Sequence, residues 1–267
     1  MVLSELQGLK LRVMSQDLWK SKSDWFAEWF NTEAYHALYQ NRDLDEASQF
    51  TERITNQFFQ SKGERLMDLG CGKGRHAVSM AKRGHDVVGV DLSDRSISFA
   101  QNAYQSVEGL SFVRADMRTL GAHFKTDSFD GVLLLFTSFG YFEDDKDHDS
   151  VLTQINSVLQ SGGLLVLDYF NLETVQSHLV AHEIIERDGW VFEIDRRIYN
   201  GWVEKSIRFV STEGKAEHVL ERVRAFAPSD LKLMSESAGF SPIGLFGNYQ
   251  MDALVAGSPR CILVARK

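Results

Sequence analysis

Apolar residues in the middle of this chain come in short, nearly uninterrupted runs, and the stretches between them are amphipathic. The runs VVGV (87–90), GVLLLF (131–136) and LLVLDYF (164–170) carry almost no polar residue. Strands of this kind lie in a sheet covered on both faces. The pattern predicts strands at 65–69, 86–91, 110–114, 129–136 and 163–170, and helices at 73–84, 94–106 and 147–160. Strands alternating with helices imply parallel pairing in a layered α/β domain. Gly162-Gly163, just past the third of these helices, is expected to be its C-terminal stop.

The flanking segments follow other periods. From Asp17 to Gln60 the pattern is helical and crowded with aromatics, and Trp25, Phe26, Trp29 and Phe30 form one apolar stripe. This predicts a helical cap over residues 1–62 packed on the main core; a sharper reading has part of its stripe also line a ligand cavity. From His182 to Phe226 apolar and polar residues alternate around Asp188-Gly189, Asn200-Gly201 and Glu213-Gly214. Such pairs between alternating runs are hairpin signals. An antiparallel meander over 182–226 is therefore expected as an insertion, forming a lid over the carboxyl ends of the strands or a dimer contact. The α/β pattern resumes with a helix from Ser229 to Ala238 and strands at 242–247 and 261–266, so the core comprises 63–181 and 227–267.

Composition narrows the functional classes. The 267 residues are 43% hydrophobic, and no apolar run reaches the ~20 residues that span a bilayer. The opening MVLSELQGLKLRVMSQDLW lacks a basic segment followed by an apolar core, so no secretory signal is expected. Two cysteines, Cys71 and Cys261, make no disulfide framework, which suits the cytoplasm. A net charge of −8 argues against a phosphate-backbone partner.

Candidate chemistry concentrates in RLMDLGCGKGRHAVSMAKRGHDVVGVDL (65–92). A strand ending in Asp68 meets glycines at 70, 72 and 74, then a helix, then a strand ending in Asp91. Glycine tolerates positive φ in a tight turn and lets a ligand approach bare backbone. Asp91, 21 residues after Gly70, is placed to accept hydrogen bonds from a ribose diol. The dinucleotide fingerprint Gly-x-Gly-x-x-Gly needs its third glycine at 75, where this chain has Arg75.

The alternating pattern resembles motif I of class I S-adenosylmethionine-dependent methyltransferases. Asp116-Met117 after the third strand, Asp130 opening the fourth, and GGLLVLD before the fifth extend the resemblance over about 63–171. It implies a Rossmann-like, mostly parallel seven-stranded sheet with flanking helices and S-adenosylmethionine as cofactor. It further implies that Asp68 supports the turn and the methionine ammonium. Gly70, Cys71, Gly72 and Gly74 then lie along the ribose and methionine moieties, and Asp91 holds the ribose with Leu92 against the adenine. Asp116 and Met117 frame the base, and Leu135 or Phe136 lies near the transferable methyl. The aromatic segment WFAEWFNTEAYHALYQNRDLDEA and FTSFGYF resemble a bacterial small-molecule-type subgroup, which implies either that Tyr35, Tyr39 and Arg42 reach the cofactor, Arg42 through its carboxylate, or that they are structural tyrosines and a surface arginine.

The acceptor is less marked. Phe139 and Tyr141 in TSFGYF line a pocket or pack in the core. Tyr169, Asn171 and Tyr249 are further pocket candidates, and Arg222 and Arg224 share one face of a strand, to receive an anion or to form a solvated face with glutamates. His76 and His148 read as packed or solvated histidines rather than bases. Methyl transfer from a sulfonium needs a general base only if the acceptor is protonated, so no triad is required and no catalytic residue is assigned. The expected function is methyl transfer to N or O of a small molecule by a monomer or homodimer, with no membrane and no metal. An RNA or protein methyltransferase, a non-catalytic sensor of the cofactor and a nicotinamide oxidoreductase are the alternatives.

Overall fold

The protein is described from a computed structural model, which covers residues 18–20, 23–39, 44–210, 214 and 216–267. The chain divides into two units, residues 1–42 with 178–225, and residues 43–177 with 226–267.

The larger unit is built on a seven-stranded sheet. Its strands are β1 (Arg65–Leu69), β2 (Asp86–Asp91), β3 (Leu110–Arg114), β4 (Phe129–Leu134), β5 (Leu159–Phe170), β10 (Ser241–Phe246) and β11 (Arg260–Arg266), in the order β10-β11-β5-β4-β1-β2-β3. All neighbours pair in parallel except β11, which runs antiparallel to both β5 and β10. The apolar runs become the middle strands because both faces are covered: Leu66, Met67, Val132, Leu133, Val166 and Leu263 are inaccessible to solvent or nearly so.

Helices supply that cover. In α3 (Leu44–Phe58), Ala47, Phe50, Thr51, Ile54 and Thr55 are buried, the spacing of one apolar face. Phe50 and Ile54 join the same core cluster as Leu66 and Leu133. This helix therefore belongs with the sheet, and the boundary falls near residue 42 rather than at the 62 expected for a cap. α4 (Arg75–Ala81) follows the glycine turn, α5 (Asp94–Ala103) is capped by the Ser93 hydroxyl, and α6 (Asp145–Val158) by the Asp144 carboxylate. α7 (Leu172–His178) and α8 (Pro228–Ser237) follow, the latter with proline in its first turn.

The Gly162-Gly163 pair is not the stop of α6. That helix ends at Val158 and β5 begins at once, so both glycines lie within the strand. Gly162 takes φ +83°, and the pairing with β4 shifts register between Phe129 and Gly131. A Cβ on Gly163 would stand 2.9 Å from the Gln160 carbonyl oxygen. The glycines thus serve an irregularity in the strand, where a backbone approaches closely.

The smaller unit contains an antiparallel sheet, β6 (His182–Arg187), β7 (Trp190–Tyr199), β8 (Trp202–Val210) and β9 (Ala216–Arg224), paired in chain order. Asp188-Gly189 and Asn200-Gly201 make its first two turns with positive φ at both residues, +49° and +79°, then +47° and +76°. That conformation matches the twist of a two-residue hairpin. Helices α1 (Trp25–Trp29) and α2 (Glu33–Leu38) belong to this unit. Among the described residues no helix is long and apolar enough to cross a membrane.

Candidate active site

The glycine turn joins β1 to α4 at the carboxyl end of the sheet, beside the point where strand order reverses between β1 and β4. Open α/β sheets bind ligands there. The Gly70 and Cys71 amides donate to the Val90 carbonyl at 2.7 and 3.0 Å, which clamps the turn to the end of β2. Gly70, Gly72 and Gly74 have φ of +76°, +54° and +84°. Their surroundings differ. A Cβ on Gly70 would lie 2.6 Å from the Ser138 Cβ, and one on Gly74 2.7 Å from the Phe112 ring. A Cβ on Gly72 would meet nothing within 4 Å. Gly70 and Gly74 are therefore packing glycines, and Gly72 is the one that turns bare backbone toward open space.

Two carboxylates bracket this turn. Asp91 accepts the Gly72 amide at 2.8 Å through one oxygen and the Ser93 amide at 2.8 Å through the other. A carboxylate presents about four acceptor directions, so two amides do not by themselves saturate it. Asp68 is 1% exposed and accepts the Ala77 amide at 3.0 Å. Burial pushes its carboxyl up to about 7, against the opposing pull of that amide and of Arg75 and with a further push from Asp91. An acid held so dry is primed for a cationic partner. Cys71 is buried, and its thiol is driven well above its ordinary range by burial and then by these two carboxylates. It is therefore a neutral packing group.

Asp116 caps a 3₁₀ turn, Met117–Ala122. Arg118 grips it with Nε at 3.1 Å and Nη2 at 2.7 Å, and reaches Asp147 at 3.1 Å. Burial works to raise the Asp116 carboxyl, but the Arg118 side chain and amide outweigh it and hold it low, as an ionised acceptor. Met117 brings its Cε to 3.9 Å from the Cβ position of Gly70. Leu92 follows Asp91 directly, and its carbonyl accepts the Arg114 Nε at 3.2 Å.

Past β4, Leu135 is buried and its carbonyl accepts the Ser138 hydroxyl at 2.8 Å. The same hydroxyl reaches the Gly70 carbonyl at 3.2 Å, so the turns after β1 and β4 are joined. Phe136 is 37% exposed, and the Arg75 guanidinium lies 4.4 Å from its ring centroid. Arg75, where a dinucleotide site would need glycine, thus bridges the two turns.

Several expected residues stand elsewhere. Phe139 is 1% exposed, with its ring against His148 and Phe226, and so is core rather than pocket wall. Tyr169 is fully buried against Phe170 and Phe226. Tyr141 is partly buried and donates its hydroxyl to the Thr137 carbonyl. Tyr249 stacks on Phe50 at 4.2 Å, and its hydroxyl reaches Asp168 at 3.3 Å. Asn171 donates to the Ser258 carbonyl. Asp130 lies at the opposite end of β4, where it accepts the Arg65 amide at 2.7 Å. His76 and His148 are buried, and the Nε2 of His148 accepts the Phe142 amide at 3.3 Å.

In the smaller unit, the Tyr35 ring packs on Trp29, Phe30 and Tyr39. Tyr39 donates to both oxygens of Glu221, at 2.9 and 2.8 Å, and accepts from Lys205. Its hydroxyl is thereby engaged within its own unit. Arg42 lies outside the described residues. Arg222 donates to the buried Glu204 at 3.0 Å, and Arg222 and Arg224 lie 4.2 and 5.0 Å from the Trp202 ring centroid. They fill the sheet face with glutamate and tryptophan partners.

Sequence reasoning passed over Ser138, Arg118, Asp168 and Arg260. Asp168 carried a signal, being the one charged residue in LLVLDYF. Arg118 carried a weaker one, two residues beyond Asp116.

Comparison with known proteins agrees with this fold. A family model described as a methyltransferase domain matches residues 60–221. A Geobacillus sp. (strain WCH70) protein, provisionally named a methyltransferase, is 24% identical over 91% of this chain and 98% of its own length. A solved S-adenosylmethionine-dependent methyltransferase from Clostridium acetobutylicum superposes with a TM-score of 0.72 at 18% identity, over 90% of this chain and 97% of that one. A second, an amino pentose methyltransferase from Micromonospora echinaspora solved with S-adenosylmethionine bound, gives 0.64 at 19%, over 88% and 98%. With the strand order, the open glycine and its paired carboxylate already in hand, the match over more than half of the sequence is decisive: the chain belongs to the methyltransferase domain family and has the class I S-adenosylmethionine-dependent methyltransferase fold.

Proposed function

We propose that this enzyme methylates nitrogen or oxygen of a small molecule, drawing the methyl group from S-adenosylmethionine. The observation that carries the reading is the pairing of Gly72, whose missing side chain leaves open space, with Asp91, bonded to its amide at 2.8 Å. The donor set suits a cationic nucleoside. Asp91 holds the ribose hydroxyls, the dry Asp68 carboxyl offers its charge to the ammonium, and Asp116, kept ionised by Arg118, accepts from the exocyclic amine of the base. When bound, the cofactor supplies a methyl group already activated on sulfonium. The chain's own work is to align the acceptor lone pair behind that group and to exclude water.

The acceptor class rests on the net charge of −8, which disfavours a nucleic-acid backbone. The amino pentose acceptor of one structural neighbour points the same way, toward a small molecule. Calorimetry tests the cofactor: the wild type should bind S-adenosylmethionine and S-adenosylhomocysteine but not NAD, and Asp91→Ala should weaken binding by about a hundredfold, the loss of a charged hydrogen-bond acceptor. Incubation of metabolite extract with methyl-labelled cofactor tests the acceptor. Label confined to RNA or protein would reject a small molecule, and binding with no transfer to any fraction would favour a sensor.

A further inference from the structure

Phe136 and Thr137, one residue past the end of β4, are consecutive left-handed residues with φ of +56° and +62°. Side-chain-bearing L-residues avoid this region, so a neighbouring structure must enforce it. Asp168, on β5, accepts the Phe136 amide at 2.7 Å through its carboxylate and the Thr137 amide at 3.0 Å through its main-chain carbonyl. Arg260, which opens β11, donates to the Asp168 carboxylate through Nε at 2.8 Å and to the Thr137 hydroxyl through Nη2 at 2.9 Å. Tyr249 adds its hydroxyl to the same carboxylate. Burial raises the Asp168 carboxyl against the pull of Arg260, while Asp168 keeps the guanidinium charged in spite of its own burial.

A buried ion pair is weak evidence of stabilisation, because desolvation offsets its attraction. Here the hydrogen bonds of the pair are directed at one strained turn. That turn and the glycine turn flank the same crevice, where the strand order reverses between β1 and β4, and Ser138 ties them together. We propose that Asp168 and Arg260 are a positioning pair for methyl transfer: they hold Phe136 and Thr137 in the conformation by which the site tells the methylated sulfonium from the demethylated product. The inference rests on the cofactor reading above. The two compounds share the ribose that Asp91 would hold on the cofactor reading, and differ by one methyl group and one charge. A displaced turn after β4 therefore alters the ratio of their affinities, whereas general loosening weakens both alike.

The test measures dissociation constants for S-adenosylmethionine and S-adenosylhomocysteine by calorimetry, with amide hydrogen exchange at Phe136 and Thr137 followed by NMR. Asp168→Asn should speed exchange of these two amides about tenfold, leave β1 and β2 protected, and change the affinity ratio about fivefold. Arg260→Lys retains the cation but loses the fork, so it should move the ratio in the same direction by about half as much. If Asp168→Asn fails to fold, Arg260→Lys carries the test. Leu231→Ala, a buried truncation on α8, serves as a destabilised control that should leave the ratio unchanged. A ratio unmoved by the Asp168 and Arg260 variants, or moved equally by Leu231→Ala, overturns the proposal. A wild type that binds neither compound overturns the cofactor reading itself, and does so before any variant is made.

Discussion

Replacing Asp68 by asparagine should make the ligand-free protein more stable at alkaline pH while weakening its grip on the cofactor. The carboxyl is 1% exposed, and burial moves it from 3.8 to about 7. Below pH 4 the proton is bound in both folded and unfolded chains, and the site costs nothing. As the pH rises toward 7 the unfolded chain releases its proton and the folded one keeps it, so stability falls; above 7 the loss levels off. Three units of displacement correspond to about 4 kcal/mol, of which about 2–3 kcal/mol develops between pH 5 and pH 8. Asparagine keeps an acceptor for the Ala77 amide and carries no such charge. Urea melts of both proteins at pH 5 and pH 8 read the difference directly, and the asparagine variant should gain relative stability over that interval. Calorimetry on the same samples should show weaker S-adenosylhomocysteine binding by the variant. A stability difference that does not change between pH 5 and pH 8 would refute the reasoning, since no other consequence of the substitution follows this titration.

Two further outcomes follow from packing and charge. Gly74→Ala puts a methyl group 2.7 Å from the Phe112 ring at φ +84°, so it should cost about 2–4 kcal/mol, measured as a lower urea midpoint with an unchanged slope. Glu204→Gln removes the carboxylate between Arg197 at 2.6 Å and Arg222 at 3.0 Å. Both arginines keep some solvent contact, so the loss should be about 1–3 kcal/mol, and double-mutant cycles with Arg197→Met and Arg222→Met should each return a share of it as coupling energy.

Much of this could be read along the chain because it depends on neighbours in sequence. The apolar runs set the sheet, and Asp188-Gly189 and Asn200-Gly201 set the first two turns of the second sheet by residue type alone. The glycine turn was legible for the same reason: positive φ is a local demand, and glycine meets it. The boundary between the units was less so, because the aromatic helices and α3 are alike in period and differ in what they touch. Phe139 and Tyr169 were ambiguous between pocket and core, a matter of burial that no spacing decides.

By itself, then, the sequence determined the order of the strands along the chain, the glycine turn and the acidic residue at the end of β2, since each follows from local sterics or from the two-residue and 3.6-residue periods of the backbone. Only the tertiary structure decided which glycine faces open space and which lies under Phe112. It alone brought Arg260 to Asp168, 92 residues away along the chain, and both to the turn after β4. The reason is physical: an ion pair in a dry interior forms where strand pairing brings its partners together, and that pairing leaves no periodic mark in the residues between them.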